Sequence, residues 1–109
     1  MRWYEVLLTR DAERDLEEIH DYIAEQHSPG AADHVLDRVG KAVVSLAAFP
    51  ERGFFPRELL ALGIRNYRQV FFQPYRLICR TIGTRVLVYL IVDGRRDMQA
   101  LLARRLLEG

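Results

Sequence analysis

QPYRLICRTIGTRVLVYLIVDGRRD, residues 73–97, decides the fold of this chain. Two apolar runs, 75–82 and 85–92, are separated by Gly83-Thr84, a two-residue spacing that is typical of a β-hairpin. Arginines interrupt both runs, and the stretch closes on an arginine pair. Charged side chains in a half-buried sheet cost free energy unless they are paired or bind a ligand. The hairpin therefore raises the question of which anion or partner its arginines contact.

The sequence on either side of the hairpin predicts an α+β domain. The predicted elements, in chain order, are a strand (3–9), two helices (10–27 and 29–48), a helical turn (58–62), three strands (64–72, 75–82 and 85–92) and a short helix (98–107). Thr9, Ser28 and Asp97 are predicted N-caps, and Pro29 suits the first turn of the second helix. The order βααβββα predicts an antiparallel sheet packed by an N-terminal helical hairpin, with a short C-terminal helix.

The 109 residues are predicted to form one domain, 1–109, whose net charge of +1 hides a strong asymmetry. Residues 1–51 contain 11 acidic and 5 basic side chains, whereas residues 52–109 contain 4 acidic side chains and 11 arginines. Arginine is favoured where planar, multidentate contacts to carboxylate or phosphate are needed, although a GC-rich genome produces the same bias. We expect a basic surface for an anionic partner, with ion pairs to the acidic helices as the alternative.

Metal, cofactor and membrane chemistry are not expected. His20, His27 and His34 are seven residues apart, a helical separation of roughly 10 Å, which is too far for two imidazoles to share a zinc ion at about 2 Å. Cys79 lies in an apolar strand and is expected to be buried. No stretch approaches the roughly 18 apolar residues of a membrane span. The N-terminus lacks a secretory pattern, so a cytoplasmic location is expected.

Strand parity and position sort the candidate binding residues. Four carboxylates share one face of the first helix, which is expected to be solvated and to repel nucleic acid: Asp11, Asp15, Glu18 and Glu25. Candidate partner contacts therefore come from the second half of the chain: Arg65, Arg68, Arg76, Arg80, Arg95 and Arg96. Arg76 and Arg80 share one face of their strand. The pair 95–96 lies between a strand and a helix, where backbone amides also favour anions.

Three segments carry a resemblance to a known family: DLEEIHDYIAEQHSPGAADHVLDRV, then ELLALGIRNYRQVFFQPYRLICRTIGTRVLVYLIVDGRRD, and LLARRLL. Together they resemble the ParE branch of the RelE/ParE toxin superfamily of type II toxin–antitoxin modules, from Thr9 to Leu107. The resemblance implies neutralisation by a co-expressed antitoxin, ParD-like or of another family, in a hetero-oligomer that contacts operator DNA only through the antitoxin. It also implies poisoning of DNA gyrase and growth arrest. The implied gyrase contacts come from the basic half and the C-terminal helix, with Leu102, Arg105 and Leu106 as candidates.

The RelE branch of the superfamily suggests an alternative, a ribosome-dependent mRNA endonuclease. Arg76 and Arg96 match arginines that hold the phosphate in RelE-like members, and Arg68 stands where one functional lysine would be. The second lysine position falls at Val70, and the C-terminal tyrosine falls near Leu102. Because arginine stays protonated at neutral pH, it cannot replace the missing proton-transfer groups. We therefore expect a toxin without catalytic residues of its own.

A third interpretation is an inactive relative that only binds an antitoxin. It is suggested by Asp93, because relatives commonly have histidine before the Gly-Arg-Arg-Asp stretch. In each interpretation, an acidic and apolar antitoxin segment is expected to cover the strand arginines, so changing Arg76 or Arg80 to glutamate should weaken the complex.

Overall fold

A computed structural model of the chain describes residues 3–107. Its elements are β1 (Glu5–Leu8), α1 (Arg10–Gln26), α2 (Pro29–Ala48), α3 (Arg57–Leu60), β2 (Arg68–Phe72), β3 (Tyr75–Ile82), β4 (Arg85–Asp93), α4 (Met98–Leu102) and a π-helical turn (Ala103–Leu107). The predicted order βααβββα is confirmed. The main difference in boundaries is that β2 begins at Arg68 rather than at residue 64, because Ile64 folds back and donates its N–H to the Leu59 carbonyl at the end of α3.

Side-chain caps set the start of the three longer helical segments. The oxygens of Thr9, Ser28 and Asp97 each accept a hydrogen bond from the backbone N–H three residues later, at 3.2, 3.0 and 3.2 Å. Each bond satisfies an amide that the helix itself leaves unpaired. The three predicted N-caps are confirmed. No helix in the described part of the chain is both long enough and apolar enough to cross a membrane.

The four strands form one sheet in the order β1-β4-β3-β2. The β2–β3 and β3–β4 pairs are antiparallel, as the sequence predicts, whereas β1 pairs with β4 in parallel. The helical hairpin lies between β1 and the other strands in the chain, so no tight turn fixes the direction of β1. The sheet is therefore mixed at this edge.

Helices pack against both faces of the sheet, and a separate hydrophobic core forms on each face. The face under α1 and α2 buries residues from both helices and from β2, β3 and β4: Ala12, Val39, Leu46, Val70, Leu77, Cys79, Val86, Val88 and Ile91. The opposite face packs against α3 and α4 through Leu59, Ile78, Leu90, Val92, Met98, Leu101 and Leu102. The burial expected for Cys79 is confirmed, and the second core explains why the short C-terminal helix is retained by the domain.

A β-bulge at Tyr89 changes which side chains of β4 face each core. Cys79 pairs with Val88 and the preceding residue pairs with Leu90, so Tyr89 is the extra residue in β4. Residues before the bulge therefore follow one alternation, and residues after it follow the other. Because β1 ends opposite Val88, the outer edge of β4 has no strand partner beyond this point in the described sheet.

Candidate functional site

Arg76 lies inside the domain rather than on an exposed basic face. The residue is 7% exposed, and its guanidinium grips both carboxylate oxygens of Glu58 on α3, with Nη1 at 3.0 Å from Oε2 and Nη2 at 2.9 Å from Oε1. Its Nε also donates to Gln69 Oε1 at 2.8 Å. The hydrogen bonds from Arg76 hold the pKa of Glu58 below its usual value. The expected basic surface is therefore wrong at Arg76, whose effect on partner binding stays a prediction.

Three other predicted arginines converge on a single groove of about 340 Å³. We call it the arginine groove; its lining is Glu51, Phe55, Arg65, Asn66, Arg68, Cys79, Arg80 and Thr81. The guanidinium carbons of Arg68 and Arg65 lie 4.5 and 6.0 Å from the centre of the Phe55 ring. That of Arg80 lies 5.8 Å from the centre of the Tyr67 ring. Cation–π contacts of this kind hold cations in place without neutralising their charge.

The charges of the arginine groove are not neutralised within the described domain. Among residues 3–107, no carboxylate forms an ion pair with Arg65, Arg68 or Arg80. One amino group of Arg68 donates to the carbonyls of Gly53 and Glu51, at 3.1 and 3.3 Å, and so ties the loop before α3 to β2. The groove thus presents positive charge on a fixed frame. In the sequence, the aromatic residues of this loop, Phe54 and Phe55, are the signal that could have indicated an ordered loop here.

A second groove, of about 540 Å³, lies between α1 and the end of β4. It contains Arg95, Arg96 and Asp93 together with Tyr22 and Tyr75, two tyrosines that the sequence did not single out. Arg95 donates to Asp93 at 2.6 and 2.9 Å, which lowers the pKa of that carboxyl. Burial raises the pKa of Tyr75, with a further contribution from the nearby Asp93 charge, so its phenol stays protonated as a donor. This arrangement gives a turn held by its own ion pair.

The predicted target-binding residues of the C-terminal helix face inward. Leu102 is 1% exposed, and Leu106 packs against the same core on the opposite face of the sheet. Arg105 pairs with Asp15 of α1, a residue that is itself buried. The predicted solvated position of Asp15 is therefore wrong, and these three C-terminal residues do not form an open surface in the folded domain.

The Asp15–Arg105 pair closes the uncovered edge of β4. Asp15 Oδ2 accepts the Ile91 N–H at 3.1 Å, and Arg105 Nη1 donates to the Tyr89 carbonyl at 3.2 Å. The bulge and the early end of β1 leave exactly these edge groups without a strand partner. Burial raises the pKa of Asp15, and the hydrogen bonds from Ile91 and Arg105 oppose that rise. An ion pair thus replaces a strand here and fastens the C-terminal segment to α1.

The three histidines are spread along the two long helices. His20 lies beside two carboxylates, with ring nitrogens 3.6 Å from Asp21 and 3.4 Å from Asp33. His27 and His34 are exposed. Within residues 3–107, no group of three or more histidine, cysteine, aspartate or glutamate side chains is arranged to hold a metal ion. Burial raises the pKa of the Cys79 thiol to about 11, which leaves it protonated and unreactive at neutral pH.

Comparison with known proteins gives the fold and site a family. The family model described as the ParE toxin of the type II toxin–antitoxin system parDE matches residues 6–98. Toxin ParE3 of Caulobacter vibrioides is 28% identical over 100 residues, covering 92% of this chain and 96% of that protein. A chain of the chromosomal ParDE system of P. aeruginosa superposes with a TM-score of 0.69 at 18% identity, over 84% of this chain and 96% of that chain. A chain of the RelBE2 toxin–antitoxin complex of Mycobacterium tuberculosis superposes with a TM-score of 0.58 at 23% identity, over 85% of this chain and 93% of that chain.

The family match places the chain in a class, the toxins of type II toxin–antitoxin systems. Its fold, a sheet with a helical hairpin on one face and short helices on the other, is similar to that of the two solved structures. Within that class, the chain belongs to the ParE family of type II toxin–antitoxin toxins.

Proposed function

We propose that this ParE-family toxin inhibits DNA gyrase in the cytoplasm and arrests growth until an antitoxin binds it in a hetero-oligomer. The relatives reported above include toxins of ParDE and RelBE toxin–antitoxin systems, which supports an antitoxin partner. Gyrase is preferred to messenger RNA as the target because of what the folded domain does with one arginine.

The observation that carries this choice is the engagement of Arg76. In the endonuclease reading, this side chain would hold an RNA phosphate. Here both of its amino groups contact the Glu58 carboxylate, and Nε contacts Gln69. Removing one partner from a buried ion pair costs about 3–5 kcal/mol, so an RNA phosphate would have to displace a well-satisfied carboxylate. A toxin that acts by binding gyrase needs no such rearrangement.

The test compares the two targets directly with purified toxin. We expect inhibition of gyrase supercoiling and an increase in cleaved DNA complexes, with messages left intact in a translating extract. The variant Glu58→Gln removes the carboxylate that holds Arg76 and should leave gyrase inhibition unchanged. Cleavage of translated messages, growing stronger in Glu58→Gln, would instead establish the endonuclease.

Expression of the chain alone in growing cells distinguishes the two toxic functions, gyrase inhibition and mRNA cleavage, from an inactive antitoxin-binding relative. Growth arrest is expected. Normal growth with a stably folded protein would leave an antitoxin-binding relative as the better description, the possibility that Asp93 raised. The matched variant is Asp93→His, which introduces the histidine that the family resemblance implies at this position. Because Arg95 of this pair is exposed to solvent, losing the pair should affect only the local turn and leave the domain folded.

A further inference from the structure

We propose that the arginine groove is the subsite that receives the carboxylates of the antitoxin, and that Arg65 and Arg80 are its principal contacts. This inference rests on the proposed neutralisation by an antitoxin and goes further by naming the site. It also separates the strand arginines. Arg76 is satisfied by Glu58, and Arg95 by Asp93, so neither needs an external anion.

Geometry supports an external anion at this groove. Three arginines line one cavity, and their guanidinium groups lie near the rings of Phe55 and Tyr67. Glu51 also lines it, but among the described residues it forms no ion pair with these arginines. Like charges gathered in this way repel one another unless an anion lies between them. A carboxylate accepts paired hydrogen bonds from arginine in a planar, bidentate arrangement. Within the described chain, the ion pairs of the domain leave all three of these charges available to a ligand.

An exposed aromatic side chain, Phe54, comes directly before Phe55 of the groove in the sequence. Phe54 is 78% exposed although its backbone is fixed, since its N–H and carbonyl both bond to Gln69 of β2, at 3.0 and 2.6 Å. A partner that covers Phe54 therefore does not have to order its backbone, which reduces the entropic cost of binding. An arginine cluster beside an exposed apolar residue fits a peptide carrying both acidic and apolar residues.

Charge over the whole domain argues against a nucleic acid as the occupant. The chain has a net charge of +1 and a pI near 7.9, whereas nucleic-acid-binding domains have extended basic patches and often a pI above about 9. The exposed acids of α1 would repel a long polyanion. A groove of about 340 Å³ has room for a few side chains rather than a track of nucleotides. A short acidic peptide satisfies the local charge without meeting the acidic half.

The experiment measures binding of a fluorescein-labelled synthetic peptide of glutamate and leucine to the intact chain. Arg65→Glu and Arg80→Glu should each raise its dissociation constant at least about tenfold, a loss of about 1.4 kcal/mol. The matched control is Arg10→Glu, the same change of charge at an exposed position outside the groove, which should have less than a twofold effect. A peptide with glutamine in place of glutamate should not bind.

Each result separates this proposal from the proposed target. Equal weakening by Arg10→Glu and Arg65→Glu would overturn the groove as a subsite, as would tighter binding of an oligothymidylate than of the peptide. Peptide binding that depends on Arg65 sustains the proposal even if gyrase inhibition is absent. Gyrase inhibition without peptide binding overturns this proposal alone. If Arg80→Glu lowers the melting temperature, Arg65→Glu decides the matter, because Arg65 is exposed and unpaired within the described domain.

Discussion

Replacing Arg105 by methionine is expected to loosen the C-terminal segment from the edge of β4. The substitution keeps the aliphatic part of the side chain and removes the guanidinium that binds Asp15 and the Tyr89 carbonyl. Asp15 would then be a buried carboxylate whose remaining hydrogen bond comes from the Ile91 N–H. The prediction follows from the pair's role as a substitute for a neighbouring strand.

The expected cost is about 2–3 kcal/mol of unfolding free energy. Breaking a buried ion pair by removing one partner costs about 3–5 kcal/mol. The expected cost lies at or just below the lower end of that range because the Arg105 side chain keeps 20% of its surface exposed and because the stranded carboxyl can take up a proton. Asp15→Asn keeps an acceptor for Ile91 and should cost less, about 1–2 kcal/mol. The loss of unfolding free energy in the double variant should be smaller than the sum of the two single losses, since the pair is broken only once.

Stability should also depend on pH in a definite direction. Arg105 lowers the pKa of Asp15, so its removal raises that pKa further above the ordinary value of 3.8. The folded state then binds the proton more tightly than the unfolded chain does, so stability rises as the pH falls through the folded pKa towards the unfolded one. The deficit of Arg105→Met relative to the unchanged protein should therefore shrink as the pH falls through the raised pKa of Asp15.

Urea unfolding followed by circular dichroism measures these free energies, and hydrogen exchange of the Ile91 amide reports the edge locally. The neighbouring exposed arginine supplies the control, because Arg104→Met changes the same residue type one position away. If Arg104→Met and Arg105→Met lose the same stability within about 0.5 kcal/mol, or if Ile91 exchange is unchanged by Asp15→Ala, then the ion pair does not close the edge.

Two further stability predictions concern the loop and the pair beneath it. Hydrogen bonds lower the pKa of Glu58 below 4.5, so its ionised form stabilises the fold above that value. This stabilisation is lost as the pH falls through the folded pKa. Lowering the pH should therefore reduce the unfolding free energy of the unchanged protein, measured with urea, more than that of Glu58→Gln. A Cβ on Gly53 would lie 2.4 Å from the Gln69 carbonyl oxygen, so Gly53→Ala should cost more than about 1 kcal/mol. Gly40, with nothing within 4 Å in a helix interior, gives the opposite control, since Gly40→Ala should stabilise by about 0.5–1 kcal/mol in the same titration.

Local signals in the sequence were enough to give the order of elements. Caps at Thr9, Ser28 and Asp97 depend on bonds three residues away, and the hairpin turn at Gly83 has the positive φ of 62° that glycine adopts readily. These features are written in adjacent residues. The start of β2 was misplaced because Ile64 is apolar for a tertiary reason, packing against the second core rather than pairing in the sheet.

The site was harder to predict because it depends on contacts between residues that are far apart in the sequence. Strand parity treats β4 as regular, but the bulge at Tyr89 reverses its alternation and depends on pairing with β3. Asp15 reads as one more carboxylate on a solvated helix face until an arginine 90 positions away meets it. Arg76 and Arg80 share a strand face, yet only Arg76 has Glu58 within reach. Periodicity cannot tell which of two equivalent charges will find a partner.

The charged residues behind the asymmetry of the chain divide into those that form ion pairs within the fold and those that do not. Two arginines of the basic half form ion pairs with the acidic half: Arg105 with Asp15, and Arg85 with Glu5. Two others pair within the basic half, with Glu58 and Asp93, each through two hydrogen bonds or more. The two largely buried pairs, Arg76–Glu58 and Arg105–Asp15, fix the architecture, and because they are already satisfied they offer little to a partner. Among the described residues, Arg65, Arg68 and Arg80 lie together on one groove without such a partner. Recognition of an anion should therefore be concentrated there rather than spread along the strand.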